Sequence, residues 1–235
     1  MLRISKFLSD AGIASRRDAE KMILAGRVSV NGEKIETPVF FVDGAEKITV
    51  DGKPVPNRGA ETASRAGRTP AVYLFHKPAG CICSARDPEG RKTIYDILPE
   101  KYRNLKYVGR LDYNTSGLLL MTDSGDFARK MTLPDSEIPR TYVAKLGRTW
   151  TMDDETVGRL LKPVRRGAKI DGTIYRPMKI ERLNATDFKI TVTEGKKNEI
   201  RVIFDHIGLP VRKLHRISYG KYELGGLPAG KIIKS

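Results

Sequence analysis

The chain has 235 residues and a formal net charge of +15 at pH 7, with a sequence pI near 9.8. Hydrophobic residues make up 40% of it, which is enough for a real core and argues against global disorder. No apolar run approaches the roughly 20 residues of a membrane span, and the N-terminus lacks the unbroken apolar segment of a secretion signal.

The excess of Lys and Arg indicates a polyanionic partner, either nucleic acid or an anionic surface. Residues 1–70 hold 12 basic and 9 acidic residues, and residues 71–235 hold 31 and 19. Because the charge is spread out, a folded domain with a basic face fits better than a disordered basic tail. Solubility alone is the alternative explanation. With no membrane span or address signal, we expect a cytoplasmic protein.

A stretch without large apolar residues divides the chain. Residues 57–70 read NRGAETASRAGRTP, a composition typical of a linker. The sequence therefore predicts a small domain over residues 1–56 and a large domain over residues 71–235.

The small domain begins with two predicted helices. Apolar residues at helical spacing in RISKFLSDAG predict the first helix, which ends at Gly12. Ser15, with Asp18 three residues later, resembles a capping box at the start of the second helix. Gly26 is typical of a helix C-terminus.

Two short hairpins follow these helices, with turns at Asn31-Gly32 and Asp51-Gly52. Two helices and a small sheet make a compact unit with a basic surface. Several of its positive side chains lie at one helix start, where backbone N–H groups also favour phosphate. The basic residues are Arg16, Arg17, Lys21 and Arg27.

The sequence from Ile4 to Gly32 resembles the αL-type RNA-binding domain, which is named for a ribosomal protein of the small subunit. Ser-Arg-Arg in the helix pair and the later Gly-Arg-Val-Ser-Val-Asn-Gly carry the resemblance. The module occurs in many RNA-modifying proteins. It therefore implies RNA binding, with contacts from Arg16, Arg17 and Arg27, but no particular reaction.

The large domain begins with a strand, a turn and a second, buried strand. AVYLFHKPAG predicts a strand that ends in a turn at Pro78-Ala79-Gly80. TIYDILP predicts a short helical or turn segment, and YVGRLD predicts a strand that approaches a loop. GLLLMT predicts a buried strand, followed by a turn at Asp123-Ser124-Gly125 and a short helix.

Strands dominate the rest of the chain. They are predicted at RTYVAKLG, YRPMKIERL, DFKITVTEG and in the segment from Val211 onward. Helices are predicted over residues 151–164 and in NEIRVIFDHIG, the latter capped near Asn198. The predicted fold class is therefore α+β, with a mostly antiparallel sheet in the large domain.

Cysteine and histidine usage predicts neither a disulfide framework nor a metal site. Cys81 and Cys83 lie two residues apart on a predicted strand, so they point to the same face, and we interpret them as small buried or half-buried thiols. The three histidines, His76, His206 and His215, lack metal-ligand spacing.

Asp112, in GRLDYNTSGLLLMT, is the first residue that could carry chemistry. It follows Arg110, and the flanking glycines permit close approach of a ligand or a second backbone. The same carboxylate could instead cap its own turn. The local sequence does not decide between a turn cap and a catalytic group.

Two later stretches are similarly open. Tyr142, in PRTYVAKL, could stack on a nucleic-acid base, although a core tyrosine is an equally good interpretation. Lys196, Lys197 and Arg201, in TEGKKNEIRVIF, gather near a helix start, which is typical of phosphate binding or of a solvated basic face.

Taken together and in this order, these stretches resemble the motifs of the RsuA/RluB branch of pseudouridine synthases. LFHKPAG resembles the opening strand of the same fold, and an αL-type domain at the N-terminus is usual for the branch. The resemblance covers nearly the whole chain. It implies a mixed-sheet pseudouridine synthase domain that moves the glycosidic bond of a uridine in RNA from N1 to C5 without a cofactor.

The resemblance also implies roles for the matching residues. Asp112 would be the essential catalytic carboxylate, and Tyr142 would stack on the flipped base. Arg201 would pair with Asp112 and so keep it ionised in a dry pocket, which Ile200 would line. Further contacts to substrate or RNA would come from Lys77, Arg110, Lys196 and Lys197.

The stretch DPEGRKTIYDILP, together with NEIR, resembles the large-subunit rRNA enzymes more than the small-subunit enzyme. We therefore expect a monomer that acts on ribosomal RNA of the large subunit, free or within a pre-ribosomal particle. Two alternatives stay open: an enzyme for small-subunit rRNA, and a non-catalytic RNA-binding ribosome-assembly factor on the same scaffold. Departures from the family pattern fall at Arg140, Glu199, Val202 and Ile203.

Overall fold

The computed structural model describes residues 1–56, 69–147 and 149–235. The chain separates into two compact units, Met1–Thr69 and Pro70–Ser235. The predicted linker over residues 57–70 falls mostly outside the described residues, so its boundaries stay a prediction. No helix within the described ranges is long and apolar enough to cross a membrane.

The small unit contains two helices and a small antiparallel sheet, as predicted. The helices are α1 (Ile4–Asp10) and α2 (Arg16–Leu24). The strands are β1 (Leu2–Arg3), β2 (Val28–Val30), β3 (Glu33–Ile35), β4 (Phe41–Val42), β5 (Ile48–Val50) and β6 (Lys53–Pro54). Four of them form a sheet of order β3-β2-β5-β6, and β1 pairs with β4.

Local sequence explains the shape of this unit. The hydroxyl of Ser15 accepts the Asp18 backbone N–H at 3.2 Å, which caps α2. Both hairpin turns adopt the left-handed backbone that Asn-Gly and Asp-Gly favour, with φ of 51° at Asn31 and 50° at Asp51. The helices and strands close over a core that includes Ile4, Leu8, Ala19, Ile23 and Val28.

A nine-stranded sheet forms the large unit. Its strands are β7 (Val72–Lys77), β8 (Lys106–Val108), β9 (Thr115–Thr122), β10 (Arg140–Leu146), β13 (Lys179–Arg182), β14 (Asp187–Val192), β15 (Val211–Tyr219), β16 (Tyr222–Glu223) and β17 (Ile232–Lys234). They follow the order β13-β14-β10-β15-β9-β7-β17, with β8 paired to β9 and β16 to β15. The described strands pair antiparallel except β9 with β15, so the mostly antiparallel α+β prediction is confirmed.

Short helices and one hairpin complete the large unit. The hairpin is β11 (Ala168–Ile170) with β12 (Thr173–Tyr175). The helices are α3 (Gly125–Thr132), α4 (Asp154–Leu160), α5 (Lys162–Arg166) and α6 (Glu199–His206). Single 3₁₀ turns lie at Ile94–Asp96, Glu100–Tyr102, Pro134–Ser136 and Thr149–Thr151.

Three predicted elements differ from the structure. The helix predicted over residues 151–164 is two helices, because Pro163 lies in the first turn of α5 and starts a new helix. The strand predicted in YRPMKIERL is interrupted between β12 and β13, around Pro177, which cannot donate to a strand ladder. Cys81 and Cys83 lie in a loop rather than on a strand, although both are buried as expected.

Strand β9 is buried on both faces of the sheet. Leu118 and Leu120 pack into one apolar cluster, while Leu119 and Met121 pack into another on the opposite face. This two-sided burial accounts for the continuous apolar run in the sequence. It also makes β9 a rigid base for the loop that precedes it, which contains Asp112.

Gly117 permits the close contact between β9 and β15. Its φ is +109°, and a Cβ atom at this position would lie 2.2 Å from the Arg216 carbonyl oxygen. Arg216 and Gly117 are register partners in the parallel pair. Only glycine fits between the two backbones here.

We expect Gly117→Ala to destabilise the large unit by more than about 3 kcal/mol, since both the backbone conformation and the inter-strand distance would have to change. Urea unfolding measures the effect. The matched control is Gly158→Ala in α4, where a Cβ meets nothing within 4 Å and alanine should be neutral or stabilising by up to about 1 kcal/mol. Equal midpoints for Gly117→Ala and the wild type would contradict the close-contact account.

Candidate active site

A pocket of about 780 Å³ opens in the large unit. Its wall combines the loop before β9, parts of β10 and β15, and the segment that leads into α6. Seven lining side chains are Arg or Lys, and three are Asp or Glu. Size and charge together suit a nucleotide or another anionic ligand.

Asp112 lies exposed on this wall, in a turn that closes through its backbone. The Thr115 N–H donates to the Asp112 carbonyl oxygen at 3.0 Å. The turn therefore uses the carbonyl of Asp112 and leaves its carboxylate to face the pocket. With its nitrogen on that side, the Asn198 amide donates to both carboxylate oxygens, at 2.9 and 3.1 Å.

The Lys77 ammonium group holds this turn from beneath. Its side chain is 0% exposed, and Nζ donates to the carbonyl oxygens of Pro78, Asp112 and Thr115 at 3.0, 3.1 and 2.9 Å. Burial lowers the pKa of Lys77, while the neighbouring Cys81, Cys83 and Asp112 raise it. The prediction that Lys77 contacts RNA is corrected: its three donors are used inside the fold.

Other contacts fix the remaining peptides of the loop. The Gly80 N–H donates to the Tyr113 carbonyl at 2.8 Å. The Cys83 sulfur lies 3.4 Å from both the N–H and the carbonyl oxygen of Leu111. Burial raises the pKa of the Cys83 thiol, which favours a packing role over reactivity. The carboxylate of Asp112 thus extends from a backbone that is held at consecutive residues.

Arg201 lines the pocket but does not pair with Asp112, although both residues are described. Its guanidinium donates to the carbonyl oxygens of Val211 at 3.0 Å and Asn114 at 3.2 Å. From the first turn of α6 the side chain reaches the start of β15 and the loop after Asp112. Each of its two Nη groups binds one of these carbonyls, so Arg201 ties three elements together, and the predicted Arg201–Asp112 pair is wrong in this structure.

Asn198, and not the predicted Arg201, contacts the Asp112 carboxylate. It precedes α6 in a left-handed backbone with φ of 54°, a conformation that asparagine tolerates. Its side chain faces Asp112. It makes no side-chain hydrogen bond to the start of α6, so the predicted side-chain cap is wrong.

The remaining predicted residues fall into three places. Tyr142 and Ile200 are buried in the pocket wall, and Arg110 and Lys197 are exposed at it. Lys196 also lines the pocket, but its ammonium binds the Glu194 carboxylate and the Ile174 carbonyl.

The three arginines predicted to bind RNA through the small domain all lie exposed in the small unit. Arg16 and Arg17 begin α2. Arg27 pairs with Asp51 through two hydrogen bonds, at 2.9 and 2.5 Å, so its charge is partly compensated.

Sequence reasoning missed Arg216 and the position of Glu199. Arg216 lies two residues after the buried Leu214 on β15, so both side chains point to the same, inward face. A charged residue at an inward strand position is a signal that the sequence alone offers. Among the residues that the structure describes, no three His, Cys, Asp or Glu side chains group as metal ligands.

Glu199, the first residue of α6, is 6% exposed in the pocket wall. Burial, and then the charge of Glu194, raise the pKa of Glu199 to about 7. Opposing contributions come from the Lys196 backbone N–H and the charges of Arg140 and Lys196. The Glu194 carboxylate accepts hydrogen bonds from the Arg176 backbone N–H and from the Lys196 ammonium group. The Lys196 charge is therefore paired with Glu194 and not with Glu199.

Because the pKa of Glu199 is raised, its contribution to the free energy of unfolding should depend on pH. The folded chain binds the proton more tightly than the unfolded chain, so wild-type stability falls as pH rises from the ordinary value of 4.5 towards about 7. Glu199→Gln removes this loss. Relative to the wild type, the variant should therefore gain about 1–3 kcal/mol between pH 5 and pH 8 in denaturant unfolding. The exposed Glu100→Gln is the control, and a Glu199→Gln gain that stays constant with pH would contradict the raised pKa.

Comparison with known proteins agrees with this geometry. Residues 71–206 match the family described as RNA pseudouridylate synthase, and residues 2–48 match the S4 domain. The chain belongs to the pseudouridine synthase family, in its RsuA/RluB type, and carries an N-terminal S4 domain. The predicted αL-type module, fold class and isomerase activity are thereby confirmed.

Individual relatives cover nearly the whole chain. An uncharacterized RNA pseudouridine synthase of Rickettsia conorii is 40% identical over 98% of this chain and 94% of its own length. Ribosomal large subunit pseudouridine synthase B of Bacillus subtilis is 35% identical over 98% of this chain and 90% of its own. A crystal structure of a pseudouridylate synthase aligns with a TM-score of 0.67 at 25% identity, covering 100% of this chain and 96% of that one.

Proposed function

We propose that this protein isomerises a specific uridine of large-subunit ribosomal RNA to pseudouridine, with Asp112 as the essential carboxylate. Family membership supplies the reaction. One observation carries the assignment of Asp112: the backbone of its loop is held by hydrogen bonds at consecutive residues, while its carboxylate faces a basic pocket and, among the described residues, is met by the neutral amide of Asn198. A turn-capping aspartate would instead direct its oxygens to its own backbone.

The reaction sets clear demands on this pocket. The bond from ribose C1′ to N1 breaks and a bond from C1′ to C5 forms, while a proton leaves C5 and one is gained at N1. Atoms and electrons balance within the nucleotide, so no cofactor is required. The base must leave its helical stack to be reached, and the pocket volume suits one extruded nucleotide.

The residues around Asp112 fit roles in this reaction. A carboxylate can attack a sugar carbon or the ring of the base, and both routes need its oxygen beside the glycosidic bond. The two hydrogen bonds from Asn198 hold that oxygen in one orientation. Tyr142 offers a ring for stacking on the uracil, and Ile200 offers an apolar wall. Arg201 acts as a positioning residue for the loop.

Ribosomal RNA as the substrate rests on charge, on the S4 domain and on relatives. Exposed Arg110 and Lys197 at the pocket, with Arg16 and Arg17 in the small unit, are suited to phosphate contacts. The Bacillus subtilis relative is named for the large ribosomal subunit, which favours that RNA here. A monomer suffices, because all the named pocket residues come from one unit of one chain.

The test uses unmodified transcripts of large- and small-subunit rRNA, with pseudouridine mapped after incubation with purified protein. Wild-type protein should modify a defined uridine of the large-subunit transcript. Asp112→Asn should lower the rate by at least about 10³-fold while changing RNA affinity little, since it adds no repulsion to phosphate. The matched control is Asp171→Asn, the same chemical change in the exposed β11–β12 turn.

Each contrary outcome has a separate meaning. Isomerisation at the wild-type rate by Asp112→Asn would refute the role of that carboxylate. Modification of the small-subunit transcript alone would refute the substrate. Tight RNA binding without pseudouridine in either transcript would favour the non-catalytic assembly factor.

A further inference from the structure

Arg216 is a buried cation in the pocket wall with hydrogen-bonding capacity to spare. It lies on β15 and is 1% exposed. Its Nε donates to the Leu118 carbonyl oxygen at 2.7 Å, whereas its buried Nη2 has no hydrogen-bond partner. Among the described residues it forms no ion pair with Asp or Glu. A guanidinium stays charged at every relevant pH, so burying it without hydrogen-bond partners costs free energy. A ligand that accepts a hydrogen bond from it would remove this cost.

Two aromatic rings lie beside this guanidinium. Its central carbon lies 6.0 Å from the centre of the Tyr142 ring and 5.0 Å from that of Tyr219. Tyr219 is itself held, since its hydroxyl donates to the Met131 carbonyl at 2.6 Å and accepts from Arg140 at 3.0 Å. Arg216 and Tyr142 are register partners on neighbouring strands. The guanidinium is therefore placed beside the ring proposed to stack on the base.

The other buried or half-buried cations of the pocket wall are already engaged. Arg140 donates to the Glu194 carbonyl and to Tyr219, and Arg201 donates to two carbonyls. Arg110 and Lys197 are exposed, where phosphates of an RNA strand would pass. Arg216 is therefore distinct from the exposed cations that phosphates can reach. As a buried residue of the pocket wall, it is placed to contact the part of a ligand that enters the pocket most deeply.

We propose that Arg216 donates a hydrogen bond to a carbonyl oxygen of the uracil ring and stabilises that ring once it is detached from the ribose. The inference rests on the proposed function, because it takes uracil as the occupant of the pocket. When the C1′–N1 bond breaks, its electron pair stays on the ring and spreads onto O2 and O4. A fixed guanidinium meets this charge without rearranging. Arg216 exchanges no proton, and Tyr142 and Asp112 keep the roles given above.

A double perturbation of protein and substrate tests this contact. The target uridine is replaced by 2-thiouridine or 4-thiouridine, since sulfur accepts hydrogen bonds less well than oxygen, and single-turnover isomerisation is measured. Arg216→Met should slow the ordinary substrate by about 10²-fold or more. One of the two thio substitutions should slow the wild type by about tenfold but slow Arg216→Met by less than about twofold, because both changes remove the same hydrogen bond.

Controls separate this contact from a structural role. Arg212→Met removes an exposed charge from the same strand and should leave the full sulfur effect in place. Arg216→Lys keeps the positive charge but lacks the planar guanidinium group. It replaces Arg216→Met in the comparison with the thio substrates if circular dichroism shows that Arg216→Met does not fold.

Three results would overturn the inference. The first is additivity of the sulfur and Arg216 effects at both positions. The second is full-rate turnover of both thio substrates by the wild type, which needs no variant. The third is a loss of RNA affinity with a smaller salt dependence but no coupling to sulfur, which would assign Arg216 to a phosphate. A wild-type chain that isomerises no uridine would instead refute the proposed function itself.

Discussion

One buried ammonium group organises the site. Lys77 is enclosed at the end of β7, and its three donors are used by three carbonyls, two of them in the turn that begins at Asp112. Leaving such carbonyls unpaired would cost about 1–3 kcal/mol each, so the turn has little freedom to move. It leads directly into β9, which is packed on both faces. The carboxylate therefore extends from a turn that Lys77 holds on one side and a strand packed on both faces holds on the other.

The positively charged side chains of the large unit have three different roles, which depend on how deeply they are buried. Buried or half-buried cations such as Lys77, Arg140 and Arg201 bind carbonyl oxygens and hold strands, loop and helix in place. Exposed cations such as Arg110 and Lys197 are available to phosphate. Arg216 belongs to neither group, because it is enclosed yet not fully paired. A net charge of +15 suggests an RNA partner but cannot distinguish these uses.

Local signals predicted the hairpins at Asn31-Gly32 and Asp51-Gly52, the buried strand β9 and the α+β class, because turn chemistry and hydrophobic period act over a few residues. Motif order predicted the family. The sequence did not predict which donor meets which acceptor across the fold. Lys77 binds a carbonyl 35 residues away and Arg216 one 98 residues away, and such pairings depend on strand order. For the same reason the sequence did not predict that Asn198 would meet Asp112, or that Arg201 would bind the carbonyl oxygens of Val211 and Asn114.

The measurement that tests this account most directly is the isomerisation rate of Lys77→Met beside its RNA affinity and its circular dichroism. The methionine fills much of the same space but removes the three hydrogen bonds that Lys77 donates to the carbonyl oxygens of Pro78, Asp112 and Thr115. Lys77→Met should fold and bind rRNA normally but isomerise it at least about 10²-fold more slowly, because the carboxylate is no longer held in place. Lys92→Met, which removes an exposed charge, should change neither property. A folded Lys77→Met protein with the wild-type rate would contradict the account.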